Sequence, residues 1–392
     1  MKIIYDPVKF SLSAVDTAGA EFRLNPAPSW QRPVKKPADR YRLEIANACD
    51  LKCRYCVVHM NRVVKGGKLM SRETARAIVS QYNVETGGKG TLIMIGGEPL
   101  LNWEVVKDIA ATASGQKMIF TNSLKMTPEK SAYLRDHKVL ILTSLDGFTP
   151  EHNRARFGDD KEGNFETIKV NIRRMVCEGC RVGVACVLHH SNAAEAVDIA
   201  SFFREELGVV SMSFAYPHFT RENSPENDFR IEQYSEAVKG LFAFSKRRKV
   251  YLDQTGRALR FLFGGEPVYD GCKICTSQRT FYPDGTPTLC TKLDTIPGYS
   301  LAGFLDRLPL VNPECESCIA RGACGGGCPW DAWVAPNAKG FDRRICSYNP
   351  AIINHLLEDI EQEAAQAGDI NALKTRLDRI YKPLMTPQWT QG

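Results

Sequence analysis

YRLEIANACDLKCRYC, residues 41–56, runs a short apolar-alternating segment into three cysteines spaced C-x3-C-x2-C. Residues 41–45 read as a strand that ends at Cys49, Cys53 and Cys56. Thiolates bunched this closely are metal ligands. They can hold three irons of a four-iron cube and leave the fourth open to a substrate or cofactor. On this stretch alone a zinc site of Cys49, Cys53, Cys56 and His59 also stays open.

Beyond the triad, strand and helix signals alternate. Ser71 is placed to cap a helix with Ala75, Ile78, Val79 and Tyr82 on one face. Thr91 to Ile95 reads as a buried strand ending in Gly96, Gly97 and Glu98. A helix carrying Val105, Val106 and Ile109 follows, then a strand over Met118 to Thr121. Thr127 and Pro128 open another helix, with proline at the first helical position. Strands are expected at 139–145, 182–188 and 209–214, and helices at 165–177, 193–207 and 231–246. About six βα units predict an α/β fold, a partial (βα)6 TIM-like barrel with helices outside a parallel sheet. Such sheets do their chemistry at the C-terminal strand ends. The triad, Gly96-Gly97-Glu98, Thr121-Asn122 and Ser144-Leu145-Asp146 all fall at such ends and are expected to converge.

The alternation stops near Tyr251. From there to Cys346 the chain is rich in Gly, Pro and Cys, so metal is expected to hold it more than a core does. Cys272, Cys275, Cys290, Cys315, Cys318, Cys324, Cys328 and Cys346 make eight thiolates. Eight fill two four-iron cubes, or two zinc sites. The resulting division is 1–40, an extension with a possible hairpin and a Pro-rich linker; 41–250, the barrel; 251–350, the cysteine-rich domain; and 351–392, a helical segment with helices from about Ala351 to Ala367 and Asn371 to Tyr381.

The combination resembles the radical S-adenosylmethionine (SAM) superfamily with a C-terminal SPASM domain, and within it the ribosomal-peptide maturases. C-x3-C-x2-C with Tyr55 before the third cysteine resembles the superfamily hallmark. Gly96-Gly97-Glu98-Pro99 resembles its GGE motif, which binds the methionine amino group. Asn122 and Ser144 resemble its SAM-contacting positions, and Ser144-Leu145-Asp146-Gly147 its S-[IL]-D-G segment. Residues 152–156 resemble its H-D-x-x-R segment, with Asn153 in place of Asp, and make Arg156 a candidate partner for the SAM carboxylate. Leu188 completes the implied SAM contacts. The cysteines after residue 270 resemble the SPASM pattern. This implies two auxiliary [4Fe-4S] clusters besides the SAM-binding one: Cys272, Cys275, Cys290 and Cys328 hold the first, and Cys315, Cys318, Cys324 and Cys346 the second.

Other features are given plainer roles. A second GGEP, Gly264 to Pro267, reads as a turn. Cys177, Cys180 and Cys186 read as buried free thiols, His189-His190 as packing or surface residues, and Trp330 and Trp333 as packing around a cluster.

The 392 residues carry 43% hydrophobic side chains, enough for a large core plus a second module. There is no apolar run long enough to span a membrane and no signal-peptide pattern, so a cytoplasmic protein is expected. The net charge of +6 is not arranged as a basic–aromatic stripe, which argues against nucleic-acid binding. Three clusters carrying about −1 to −2 each would absorb most of that charge.

By resemblance, the chain is expected to generate a 5′-deoxyadenosyl radical, abstract hydrogen from a side chain of a ribosomally made precursor peptide and install an oxidative cross-link, such as a C–C cyclophane or thioether. The alternatives are dehydrogenation of a small molecule or of a protein Cys or Ser and, in another class, a multi-zinc structural protein. The formylglycine branch of the family places Asp after the cysteine matching Cys290, and Thr291 stands there instead. A flavodoxin or ferredoxin is the expected electron donor. About 40 residues precede the first barrel strand, too few for a full leader-recognition domain, so a separate leader-recognition protein or strand addition to the hairpin is expected. A monomer is expected.

Overall fold

The computed structural model describes residues 1–26, 37–56, 67–157, 161–219, 229–274, 276–293, 304–334 and 342–388, excluding the side chains of 161 and 162. His59 and Cys275 lie outside the described residues.

Three strands form a small antiparallel sheet: β1 (Lys2–Asp6), β2 (Ser11–Val15) and β3 (Glu21–Arg23). The hairpin expected at the N-terminus is present, with a third strand added. Asn25 ties it down: its Oδ1 accepts from Leu12 N at 3.1 Å, and its Nδ2 donates to Phe10 O and Leu262 O at 3.0 Å each.

Among the described residues the main sheet has nine strands, in the order β10-β9-β8-β7-β6-β5-β4-β11-β12. Its central run is parallel: β4 (Arg40–Ala46), β5 (Thr91–Gly96), β6 (Gln116–Thr121), β7 (Leu140–Ser144), β8 (Arg181–Val187) and β9 (Ser211–Ala215). The order is linear, so the sheet does not close on itself, as expected of a partial barrel. The central strands β5 (Thr-Leu-Ile-Met-Ile-Gly) and β7 (Leu-Ile-Leu-Thr-Ser) are mostly aliphatic and mostly buried, as strands covered on both faces are.

Helices fill the crossovers. α1 (Arg72–Thr86) starts at Ser71, whose side chain accepts from Thr74 N at 3.1 Å, and buries Ala75, Ile78, Val79 and Tyr82. α2 (Trp103–Thr112) buries Val105, Val106 and Ile109. Thr127 caps α3 (Pro128–Asp136), which has proline in its first turn. A short α4 (Arg154–Phe157), then α5 (Lys161–Cys177), α6 (Ala196–Glu205) and α7 (Ile231–Arg248) complete the outer layer.

Past Arg248 the fold holds more regular structure than expected. β10 (Tyr251–Leu252) extends the sheet parallel to β9, and α8 (Asp253–Gly264) buries Leu259, Phe261 and Leu262. β11 (Gln278–Phe281) pairs parallel with β4, on the side away from β5, and hairpins to β12 (Pro287–Thr288). The cysteine-rich region is therefore hydrogen-bonded into the barrel sheet. Gln-Arg-Thr-Phe carries no apolar run, so the periodicity did not mark it as a strand.

The cysteine-rich segment also holds α9 (Arg321–Cys324) and α10 (Pro329–Val334). The helix expected from Ala351 begins instead at Arg343: α11 spans Arg343–Ala365, is capped by Asp342 and contains Pro350. Pro350 lacks an N–H and so removes only one intrahelical bond, and the helix runs on across it. α12 (Ile370–Met385) packs back on α11 and α8. Lys246 of α7 binds Asp359 Oδ1 and Glu363 Oε1 of α11 at 2.7 Å each, joining this hairpin to the barrel.

Candidate active site and cluster cysteines

The C-terminal ends of β4 to β8 meet at the cysteine triad, as the strand-end argument requires. Cys49 and Cys53 feel each other's charge, as do Cys53 and Cys56. Cys56 N donates to Cys53 O at 3.0 Å. Burial pushes the Cys49 and Cys53 thiols up to about 12 each, so unligated thiolates are disfavoured there and a metal's positive charge is what would compensate.

Gly96 and Gly97 let β5 come against this loop. A Cβ on Gly97 would lie 2.2 Å from Ala48 O and 3.0 Å from Cys49 Cβ. Gly97 N donates to Ala46 O at 2.7 Å and Glu98 N to Ala48 O at 2.8 Å, which fixes the loop's entry. Glu98 is buried. Its Oε1 accepts from Leu100 N at 2.8 Å and Thr121 Oγ1 at 2.7 Å, and its Oε2 accepts from Asn122 N at 2.8 Å. Burial raises this carboxyl to about 7, against the pull of those donors. Asn122 Nδ2 donates to Asp50 Oδ1 at 2.7 Å and approaches Cys49 Sγ at 4.0 Å.

On the other side stands Asp146, fully buried. Its Oδ1 accepts from Arg156 Nη2 at 2.8 Å and from Val187 N at 2.9 Å, and its Oδ2 accepts from the Tyr55 hydroxyl. The Arg156 guanidinium lies over the Tyr55 ring, 5.6 Å from its centroid. Arg54 N donates to Ala155 O at 2.8 Å. The loop between Cys53 and Cys56 is thus clamped to α4 and to the end of β7. Asn153, which stands for the family's Asp, accepts from Asp146 N at 2.8 Å and donates to Gly147 O and Thr149 O. Ser144 ends β7, half-buried. Leu188 follows β8, fully buried, with its N–H on Ala215 O at 2.8 Å.

The triad fits an iron–sulfur cube with one open iron. Three soft donors share one loop, glycine backbone lies against it, and buried polar atoms of Arg156 (Nε) and Asp50 (Oδ2) have no hydrogen-bond partner among the described residues. Glu98 lies against the Cys49 end of the loop and Arg156 against its Tyr55 end, which offers partners for both charged groups of an amino acid.

The later cysteines form two groups among the described residues. Cys315, Cys318, Cys324 and Cys346 line one cavity with Pro309, Ile345 and Asn349. Cys272, Cys290 and Cys328 pack together on Ile274, Leu293 and Trp330. Burial lifts Cys272 and Cys324 to about 12 and Cys315 to about 11. Both groups match the ligand sets expected from the sequence, except that Cys275 lies outside the described residues. Trp330 packs at the first group, while Trp333 is exposed. Of the three spare thiols, Cys186 is buried, Cys180 is half-buried with its Sγ donating to Ser131 O at 3.5 Å, and Cys177 is exposed, contrary to expectation, because it ends α5. His189 is buried with its ring 6.4 Å from that of Tyr55, and His190 is exposed.

Residues 43–203 match the family model for the Radical SAM superfamily. This is a radical SAM domain. Two curated relatives are the cysteine-type anaerobic sulfatase-maturating enzyme of Clostridium novyi and the radical SAM cyclopropyl synthase TigE of Paramaledivibacter caminithermalis. The first is 23% identical over 194 residues, covering 46% of this chain and 50% of the relative. The second is 24% identical over 147 residues, covering 33% and 31%. The chain thus spans half or less of the length of these two relatives. The fold around the radical SAM domain is similar to the structure of native anSMEcpe with bound AdoMet and Cp18Cys peptide, with a TM-score of 0.67 and 17% identity over 83% of this chain and 99% of that one. It is also similar to Streptococcus suis SuiB bound to precursor peptide SuiA, with a TM-score of 0.59 and 15% identity over 79% and 76%.

Sequence reasoning missed a polar group beside the first SPASM-like cysteine set. His218, three residues past β9, has its Nδ1 2.6 Å from Asp331 Oδ2. Phe219 N donates to Asp331 Oδ1 at 2.9 Å. Burial pulls the His218 ring down, but the Asp331 carboxylate outweighs it and lifts the ring to about 9. Burial raises the Cys328 thiol, and Asp331 adds to that, yet the charge and hydrogen bond of His218 leave it below its ordinary value. His218 is far in sequence from Cys328 and Asp331 and shares no motif with them, so only the fold brings it to them.

Proposed function

We propose that this protein binds SAM at a [4Fe-4S] cluster held by Cys49, Cys53 and Cys56 and oxidatively modifies a side chain of a ribosomally made precursor peptide, with a cross-link as the preferred product. The observation that carries the reading is the placement of two buried charged residues at the triad loop, Glu98 at its Cys49 end and Arg156 at its Tyr55 end. Glu98 receives the SAM amino group and Arg156 the carboxylate, while Tyr55, Gly96, Gly97, Asn122, Ser144, Asp146 and Leu188 shape the pocket. When bound, the cluster supplies an electron that cleaves SAM, and the resulting 5′-deoxyadenosyl radical removes a hydrogen atom from the substrate. The chain's own task is to position the reactants and exclude water. Two auxiliary clusters, on Cys272, Cys275, Cys290 and Cys328 and on Cys315, Cys318, Cys324 and Cys346, fit the two cysteine groups.

The peptide substrate is supported by the peptides bound to anSMEcpe and SuiB. An electron donor such as flavodoxin or ferredoxin, a cytoplasmic setting and leader binding at the β1–β3 sheet belong to the same reading. The names of the sulfatase-maturating relatives favour a second one, oxidation of a protein Cys or Ser to formylglycine. Thr291 counts against it, because the formylglycine branch expects Asp there.

The deciding experiment is anaerobic co-expression with a short peptide encoded beside the gene, followed by exact mass and fragmentation. A loss of about two mass units per site with a linked fragment is expected for a cross-link. An unmodified peptide, together with formylglycine formed on a sulfatase peptide, would move the assignment to the second reading.

A further inference from the structure

We propose that His218 is a positioning residue that hydrogen-bonds the Cys328 sulfur at the first auxiliary cluster and raises that cluster's reduction potential. The inference rests on the auxiliary-cluster assignment above. The ligand atoms of His218, Cys328 and Asp331 all lie within 4.8 Å of one another, which brings the ring within reach of the Cys328 sulfur. The ring is held from behind. Asp331, fully buried, takes the contact to Nδ1 at 2.6 Å and is itself fixed by Phe219 N and by Arg344 Nη2 at 3.4 Å. A carboxylate behind an imidazole fixes its orientation and polarises it.

Several contacts hold the segment that carries His218. Trp330 Nε1 donates to Phe219 O at 2.8 Å. Arg344 donates to Pro217 O at 2.7 Å and stacks on Phe219 at 3.7 Å and Tyr216 at 4.5 Å. Arg344 also binds Asp342, the cap of α11, and α11 carries Cys346. One guanidinium therefore braces the histidine's loop and the helix supplying a ligand to the second cysteine group. His218 lies just past the end of β9, so it joins the barrel's working edge to the first auxiliary cluster.

Reduction adds negative charge to a cluster. A hydrogen bond to a ligating sulfur stabilises that charge, so the potential rises. A merely space-filling ring predicts the opposite sign for its removal. Opening the sulfur to water would also stabilise the reduced cluster and raise the potential.

The test is an EPR-monitored redox titration of the reconstituted full chain, wild type against His218→Phe and His218→Gln, with iron content measured on each. The SAM-binding cluster is recognised by its signal change when SAM is added. The expected result is full iron in all three proteins. One auxiliary signal shifts to lower potential in the Phe variant and by less in the Gln variant, which keeps a donor, while the other two clusters do not move. An unchanged or raised potential overturns the proposal, and so does nitrogen hyperfine coupling showing His218 bound to iron. If the Phe variant loses the cluster, the Gln variant decides by the same signs. Wild-type protein holding iron for one cluster only would instead overturn the auxiliary-cluster assignment, and this proposal with it.

Discussion

Asp146 Oδ1 accepts from Arg156 Nη2 at 2.8 Å with both side chains buried, and the same carboxylate receives the Tyr55 hydroxyl. The end of β7, α4 and the cysteine loop are thereby tied through one acid. Removing only the cation would leave an uncompensated buried charge. Arg156→Met is expected to cost about 3–5 kcal/mol in stability, read from anaerobic urea unfolding. A loss below about 1 kcal/mol would mean the pair is not closed to solvent as described.

The cysteine groups should separate in iron content. Cys49→Ala is expected to keep about two-thirds of the iron and to abolish 5′-deoxyadenosine formation. Cys346→Ala should lose a similar share yet still cleave SAM, uncoupled from substrate. Iron assay with liquid chromatography of the nucleoside product checks both. SAM cleavage by Cys49→Ala protein would contradict the assignment of the open cluster.

Glu98 gives a pH dependence of definite sign. Burial raises its carboxyl from 4.5 to about 7 in the folded chain. A raised carboxyl holds its proton longer in the folded state, so this residue's contribution to stability falls as pH climbs from 4.5 to about 7 and is constant above that. Binding the cationic amino group of SAM requires the ionised form. SAM affinity should therefore weaken by about tenfold per pH unit below about 7 and level off above it. Equilibrium binding across pH 5.5 to 8.5 measures this, and Glu98→Ala should flatten the profile while weakening binding throughout.

The two GGEP segments make a matched pair. Gly96→Ala would force a methyl to 2.0 Å from Ala46 O, so the end of β5 behind the triad loop must shift and the SAM-binding iron should be lost. Among the described residues a Cβ on Gly264 would meet nothing within 4 Å, and Gly264 ends α8. Gly264→Ala should leave cluster loading intact and change stability by no more than about 1 kcal/mol. Equal effects on iron content would mean that the motif, not its setting, matters.

Much of this was legible because local rules and the fold agree. Ser71 and Thr127 cap the helices they were expected to cap, and the apolar runs became parallel strands. What escaped was non-local. β11 is a strand because β4 offers it an edge, not because residues 278–281 alternate. α11 starts about two turns before the expected Ala351, at Arg343, and runs on through Pro350. His218, Asp331 and Arg344 carry no spacing signal, since each comes from a different element.

The pairing of β4 with β11 has a consequence for how the chain is made. β4 emerges early in synthesis, but its second neighbour is encoded near the far end. Until residues 278–281 arrive, a strand of seven residues that supports the triad loop keeps an open row of peptide groups. A product truncated near residue 250 should therefore self-associate through that edge, and expression of the barrel alone should yield aggregates where the longer chain stays dispersed.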